Sequence, residues 1–385
     1  MKIGNRFLLD YTYLQVNHKK EEVCGDVINT LQTEDFLIIV LADGLGSGIR
    51  ANILANLTVE ITLKLMGGGL PIDEVITTLG ETLPVCPIRN IAYSTFSIFQ
   101  IYRSGFIKIY EFDNPDYIFF RNNEYKEIEK KIREVGKYKI KYSEFRLQLN
   151  DWLIFFSDGV IHSGMGKTLP FGWERKYLLD FLNKKLPDIQ SPKQICAEIK
   201  NMCLEYDLGE PEDDVSIGAI YLRLLRKVVI FTGPPQNPQD DQKVCKEFFA
   251  REGKKIICGG TTSQIVSRYL GKPVKVLLDS YEKDVPAMAK MEGVDLVTEG
   301  IITISKVCEM IQGKHFDYQK LNGVIRLYQE LKWADEVEIF LGLAINEAYQ
   351  NPEIPQILSL RKNVVEKLAE LLVKYWNKKV KIEYF

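Results

Sequence analysis

Residues 36–48, FLIIVLADGLGSG, decide how the chain is read. The apolar run from Phe36 to Ala42 has no break, ends on one carboxylate, Asp43, and gives way to Gly44, Gly46 and Gly48. An apolar run of this length, bounded by turn residues, predicts a buried strand. A strand that finishes on Asp43 carries charge to the edge of a core. The glycines after it permit tight or positive-φ geometry. A carboxylate there fits a metal site, a phosphate site or a plain turn.

Outward from this stretch, the early chain reads as strands at residues 92–102, 106–112, 117–121, 138–147, 152–157 and 215–223, besides 36–42. Many of these are aromatic or β-branched and end in Gly, Asn or Asp. Helices are predicted at 49–66 and 72–83, split by Gly67-Gly68-Gly69-Leu70-Pro71, a helix stop followed by a proline start. Two more are predicted at 175–185 and 192–206, ahead of the last strand. Helices in pairs around consecutive strands predict an α+β layered domain rather than a βαβ repeat.

After Leu225 the rhythm changes. Strands at 228–232, 255–258, 274–278, 294–298, 337–342 and 380–385 alternate with helices near 240–251, up to 270, up to 311 and at 357–376. This alternation predicts a separate α/β domain with a mostly parallel sheet, and the boundary falls near residues 224–227.

The chain has 385 residues, 46% of them hydrophobic and 26% charged, which is the composition of a well-cored globular protein. Its formal net charge of -2 gives no basic field for nucleic acid. The longest apolar run is far below the roughly 20 residues that span a bilayer, so no membrane role is expected. The seven cysteines are scattered and odd in number, and read as small core residues in a reducing compartment. A cytoplasmic protein is the expectation. The three histidines are dispersed, which argues against a histidine-rich zinc centre.

Asp43 has relatives. Trp152-Leu-Ile-Phe-Phe-Ser-Asp158-Gly159 is a second apolar strand ending in Asp-Gly, and Glu212-Asp213-Asp214 stands before a third. Cys24-Gly25-Asp26 adds a carboxylate beside a glycine. If these strand ends converge, one rim holds several carboxylates that repel one another unless cations fill them. Hard oxygen donors suit Mg²⁺ or Mn²⁺, and paired cations activate water and clamp an oxyanion leaving group.

The order of these motifs resembles the metal-dependent protein phosphatases (the type 2C serine/threonine family), and more closely the stage II sporulation protein E branch, over about residues 5 to 225. ADGLGSG is similar to that branch's Asp-Gly-Met-Gly-x-Gly and FFSDGV to its Ser-Asp-Gly. EDDVSI is similar to its Asp-Asp-Met-Thr, and YSTFSIFQI, around Thr95, to its small-hydroxyl strand. The resemblance implies a four-layer α-β-β-α fold, a β-sandwich flanked by helix pairs. It implies two Mn²⁺ or Mg²⁺ ions and hydrolysis of phosphoserine or phosphothreonine without a covalent phosphoenzyme. Carried over by position, Asp43 bridges both ions and the Gly44 carbonyl binds one. Asp158 and Asp213 hold the other, and Asp26 orients water at the metal or ligates from the side. The implied substrate is a phosphorylated regulatory protein of the anti-anti-sigma kind in a bacterial signalling system.

The departures concern substrate handling. Leu45 stands where many eukaryotic members carry His, which leaves the proton donor to the leaving serine unassigned. Asp214 replaces their Asn, and Asp113-Asn114-Pro115-Asp116 replaces the branch's Gly-x-Ala-Pro. Lys19, Lys20 and Arg50 read as surface residues rather than phosphate anchors. His162 follows Ser-Asp-Gly closely, so reaching the site is one reading of it, but a packing or surface role is favoured, since no spacing rule supports catalysis.

These readings give residues 1–225 as a metal-dependent serine/threonine phosphatase domain and residues 226–385 as an α/β sensory or docking domain that regulates it. In the second domain, Gly259-Gly260-Thr261-Thr262-Ser263 lies where a strand hands over to a helix. Its free N–H groups and hydroxyls suit a small anionic effector, although a capped turn accounts for them equally. The rival to the enzyme is a pseudophosphatase that acts as a non-catalytic binding module. Intact Asp43, Asp158 and Asp213 argue against it.

Overall fold

The structure is a computed structural model that describes residues 1–4, 6–82, 94–344 and 354–385, with the side chains of 354–359 set aside. The chain divides into two compact units, Met1–Leu224 and Leu225–Phe385.

The first unit contains two six-stranded sheets. One runs, edge to edge, Lys2–Ile3, Phe7–Val16, Val215–Leu224, Asp151–Phe156, Ile118–Arg121 and Glu124–Tyr125. The other runs Asp26–Gln32, Phe36–Gly44, Ser94–Tyr102, Phe106–Phe112, Tyr138–Arg146 and Lys131–Val135. Every pairing in both is antiparallel.

The Phe36–Gly44 strand explains the layering. Successive side chains of a strand point to opposite faces. Leu37, Ile39 and Leu41 join Phe99, Ile109, Phe119, Leu153, Phe155 and Ile220 in a core between the sheets. Ile38, Val40 and Ala42 pack on the other side against Ala55, Val59, Leu63, Val75 and Leu79 of helices Gly48–Gly67 and Ile72–Thr82. The first sheet mirrors this arrangement. Phe120, Trp152, Ile154, Ile217 and Ala219 meet Leu178, Leu182, Ile195, Cys196 and Ile199 of helices Arg175–Lys185 and Pro192–Tyr206. Both faces of the central strands are therefore buried, which is why they read as unbroken apolar runs. The result is a four-layer α-β-β-α unit, and truncating one such core Leu or Ile to Ala costs roughly 2–5 kcal/mol.

The second unit is an α/β layer structure around a seven-stranded sheet, ordered Lys275–Val276, Ala289–Met291, Val294–Thr298, Lys254–Cys258, Lys227–Thr232, Glu336–Leu341 and Lys379–Tyr384. The last five pair in parallel. Val229, Phe231, Ile257 and Phe340 pack on helices Asp241–Ala250 and Gly260–Leu270 through Val244, Phe248, Ile265 and Val266. On the opposite face, Val228, Ile230, Ile256, Val337 and Ile339 meet Ile304, Val307, Leu327, Leu331, Val365 and Leu368. Helices thus cover both faces, as parallel sheets require.

Some elements differ from the sequence reading. Strands Phe7–Val16 and Asp26–Gln32 and helix Gly323–Trp333 were not anticipated, since Asp10, Tyr11 and Thr12 or Asn29 and Thr30 interrupt their apolar pattern. The predicted strand at 274–278 shrinks to Lys275–Val276, which pairs antiparallel with Ala289–Met291 at the sheet edge. Residues 83, 92 and 93 of two predicted elements lie outside the described residues, as does Cys86. The other six cysteines are buried and free.

Candidate metal centre

The acids meet at one end of the sandwich, supplied by both sheets. Asp26 opens its strand directly opposite Asp43, and Asp43 stands opposite Thr95 on the next strand. From the other sheet, Asp158 follows the Asp151–Phe156 strand and Asp213 precedes Val215–Leu224, two strands paired so that Phe156 faces Ile217. Register aligns the acids within each sheet, and the packing of the two sheets brings Asp158 and Asp213 close enough for their charges to act on Asp43.

Two glycines allow the elements to close. A Cβ on Gly44 would lie 2.0 Å from the Ala51 carbonyl oxygen, so the helix after the strand can pack against Asp43's neighbour only if that residue is Gly. Gly44 has no positive φ; Gly46 and Gly48 do, at 109° and 64°. A Cβ on Gly159 would lie 2.2 Å from the Asp214 carbonyl oxygen, which brings the Asp158 turn against the Asp213–Asp214 segment. Asp214 is a structural partner here. Its carboxylate accepts from the amides of His18 at 2.9 Å and Gly25 at 2.8 Å, and so holds the segment that leads into Asp26.

Exposure falls steadily across the rim. Asp213 is exposed, Asp158 is 42% exposed at its side chain, Asp43 is mostly covered and Asp26 retains 3%. Burial is the main cause that pushes the Asp26 carboxyl well above the usual range, with the Asp43 charge second and hydrogen bonds from Ser157 and Ser216 opposing. Burial and the charges of Asp158 and Asp213 push Asp43 up to about 7. Asp213 is raised by desolvation and by Asp158. A carboxylate cluster without a cation must hold protons it would otherwise lose.

The donor set fits divalent cations. Among the described residues, no Lys or Arg forms an ion pair with Asp26, Asp43, Asp158 or Asp213, although Lys19 and Lys167 reach neighbouring Glu212 at 2.6 and 2.9 Å. Asp26 Oδ2 and Thr95 Oγ1, on either side of Asp43, are buried without a hydrogen-bond partner. A hard ion with oxygen ligands would satisfy this arrangement.

The sequence reading ranked a site role for one neighbour, His162, below a packing or surface role. The chain after Ser157 forms a short helix, Asp158–His162, that brings His162 Nδ1 within 3.8 Å of Asp158 Oδ2. Candidate ligand atoms of Asp158, His162 and Asp213 all lie within 4.8 Å of one another. His162 is exposed and is not a packing residue. The available signal was its spacing, since residues four apart share a helix face, but only if a helix follows Ser-Asp-Gly. Lys19 is committed to Glu210 and Glu212, and Arg50 is exposed on the first turn of its helix.

The glycine-threonine segment of the second unit lies apart from these acids in the sequence and in its own unit. Gly259 has φ 129° and donates its amide to the Thr298 carbonyl at 2.9 Å, while helix Gly260–Leu270 starts behind it. Ser263 supplies the turn's capping contacts, to Gly259 and Gly260. Gly260 and Thr261 are exposed and Thr262 is 1% exposed.

Two sheets face to face between helix pairs, with acids at one rim, form the layered architecture of the type 2C (PP2C) phosphatase fold. The family model for stage II sporulation protein E (SpoIIE) matches residues 33–223. The match lies within the N-terminal unit, which carries a SpoIIE domain.

Among solved structures, the chain is similar to the phosphatase domain of SpoIIE from Bacillus subtilis, in a crystal form without domain swapping. The identity is 18%, the match covers 57% of this chain and 93% of that one, and the TM-score is 0.43. It is similar to RsbX in complex with magnesium, at 19% identity over 57% of this chain and 96% of that one, TM-score 0.40. It is also similar to the RsbU and RsbW domains of a Mycobacterium tuberculosis protein, at 14% identity over 64% and 70%, TM-score 0.47. No curated protein sequence matches the chain.

Proposed function

We propose that the first unit is a divalent-cation-dependent phosphatase that hydrolyses phosphoserine or phosphothreonine on a regulatory protein, of the anti-anti-sigma kind. The observation that carries this reading is the gathering of Asp26, Asp43, Asp158 and Asp213 on one rim, with no basic partner among the described residues, beside the unpartnered Asp26 Oδ2. Asp43, the Gly44 carbonyl, Asp158 and Asp213 would hold two Mn²⁺ or Mg²⁺ ions. Bound there, the cations supply Lewis acidity and lower the pKa of water for attack on phosphorus.

The chain's own groups do the rest. Asp26 is buried and fixed by Ser157 and Ser216, so it can hold a proton or orient water beside Asp43. The Asp214 grip on the His18 and Gly25 amides keeps Asp26 in register with Asp43. Mn²⁺-dependent release of phosphate from a phosphoserine protein by the full-length chain tests the reading, and no release with either metal overturns it.

For the second unit we propose a regulatory role through a small anionic effector at the carboxyl ends of its parallel strands. Counted in chain order, the parallel strands lie 3-2-1-4-5, so the switch point falls between Lys227–Thr232 and Glu336–Leu341. Ligands of open α/β sheets bind outside that point. Arg361 supports this choice: burial depresses its guanidinium, and its Nη1 reaches the Gly342 carbonyl at 3.5 Å, beside the Gly233 turn. Among the described residues it has no carboxylate partner. One strand over, the start of helix Gly260–Leu270 presents amides and the Thr261 hydroxyl, while Thr262 Oγ1 faces the Gly259 turn, 3.4 Å from the place of its missing Cβ. Calorimetry of nucleotides, phosphate esters and carboxylates against the full chain tests the role. Arg361→Met should abolish any hit, and a hit indifferent to that change overturns the assignment.

A further inference from the structure

We propose that His162 is a nitrogen ligand of the Asp158–Asp213 cation, through Nδ1. This half of the metal centre would then take a borderline transition-metal ion, Mn²⁺ or Fe²⁺ rather than Mg²⁺. The inference rests on the phosphatase reading above and adds a residue and a selectivity to it.

The geometry carries it. Two ligands bound to one ion at about 2.1 Å lie roughly 3 Å apart when adjacent and about 4.2 Å apart when opposite. His162 Nδ1 and Asp158 Oδ2, at 3.8 Å, already fall within that window. The full set with Asp213 lies within 4.8 Å, which side-chain rotations of less than about 1 Å would close. The His162–Asp158 contact is poorly explained as an end in itself. It is longer than a hydrogen bond, and its side chains are 43% and 42% exposed, so a direct ion pair there contributes little.

The backbone under the pair is pinned while the side chains are not. Gly159 is held against the Asp214 carbonyl, and the Ser163 hydroxyl donates to the Gly159 carbonyl at 2.8 Å. Behind His162, the loop at Gly172 approaches so closely that a Cβ there would lie 2.9 Å from the His162 Cα. The Glu174 amide closes the same loop onto the Ile161 carbonyl at 3.0 Å. The fold thus fixes the Cα positions of Asp158 and His162 one turn apart on the same side, and leaves both side chains free to close on an ion.

The chemistry then sets the selectivity. Mg²⁺ favours oxygen ligands and retained water, whereas imidazole suits later divalent ions. A histidine among two aspartates therefore shifts preference away from Mg²⁺. None of the described ion pairs offers His162 another carboxylate, which leaves the cation as its natural partner.

The test reads the ion rather than turnover. Full-length protein loaded with Mn²⁺ is examined by pulsed electron paramagnetic resonance for ¹⁴N coupling. Coupling is expected in the wild type and expected to vanish in His162→Gln. Titration calorimetry should show the ratio of Mn²⁺ to Mg²⁺ affinity falling at least about tenfold in His162→Asp, which restores an all-oxygen set. Mn²⁺ that binds through Asp158 and Asp213, and is lost in Asp158→Asn, but shows no nitrogen coupling overturns the His162 assignment and leaves the phosphatase reading intact. Failure of Mn²⁺ to bind the wild type overturns both. The wild-type spectrum decides the question even if a variant folds poorly.

Discussion

Glu111 and Asp26 are both buried acids on strands of the same sheet, and the chain treats them in opposite ways. Glu111 is 2% exposed, accepts from the Tyr117 amide at 3.1 Å, and meets the Lys130 ammonium, which also reaches Asp116 at 3.0 Å. Lys141 completes that network, 2.7 Å from Asp116. Asp151, beneath Arg121, is a similar case, with a two-pronged ion pair at 2.9 and 2.8 Å. Asp26 has only serine hydroxyls and other acids around it, and one of its oxygens has no partner. Glu111 and Asp151 each meet a cation that the chain itself provides. On the Asp43 rim the described residues provide none, which is the charge pattern that a cation from outside the chain would satisfy.

The difference can be broken at several points, and the largest effect is expected at Asp43. Asp43→Asn should cut phosphate release at least about 1,000-fold, roughly 4 kcal/mol of barrier, with an unchanged circular dichroism spectrum. Turnover within tenfold of wild type would remove Asp43 from the site.

The second test uses pH on metal-free protein. Asp43 titrates near 7 in the folded chain and near 4 when unfolded, so its folded value is raised. Between those values the unfolded chain releases its proton and the folded one keeps it. This contribution is therefore fully present below about pH 4 and is lost as pH rises towards 7, by up to about 4 kcal/mol. Urea denaturation from pH 4.5 to 7.5 should show that loss in wild type and a shallower one in Asp43→Asn. Equal slopes would mean that the rim acids are not forced together.

The Glu111 side offers the counterpart. Lys130→Met leaves a buried carboxylate without its cation and should cost about 3 kcal/mol in urea denaturation, while adding Glu111→Gln should recover part of that cost. A change below about 0.5 kcal/mol would show that the lysine is ornamental and dissolve the contrast.

The smallest effect sharpens the comparison from the ligand side. Mn²⁺ at 100 times its dissociation constant should stabilise the wild type by about 2.7 kcal/mol. Asp158→Asn should remove most of that gain, and Lys130→Met should retain it. A gain of equal size in Asp158→Asn would place the cation elsewhere.

Much of this was legible in the sequence for a physical reason. Residues 36–42 and 152–156 lie in strands covered on both faces, so their apolar runs are unbroken and mark the layers directly. The glycines after Asp43 and Asp158 were equally visible, because backbone packed on backbone leaves no room for a Cβ at Gly44 or Gly159. Phe7–Val16 and Asp26–Gln32 were hidden because several of their side chains are only partly covered, and polar residues break the pattern.

The sequence by itself determined which residue types were available: acids at strand ends, no dense histidine or cysteine cluster, and two stretches with different alternation. Only the tertiary structure decided which of them meet. Register set Asp26 against Asp43, because a strand pairing fixes neighbours that lie far apart in the chain. A single helical turn after Ser157 brought His162 beside Asp158. The depressed guanidinium of Arg361 beside the Gly233 turn follows from the folding of the second sheet. Spacing along a chain records local periodicity, whereas a site depends on distances between elements that only packing creates.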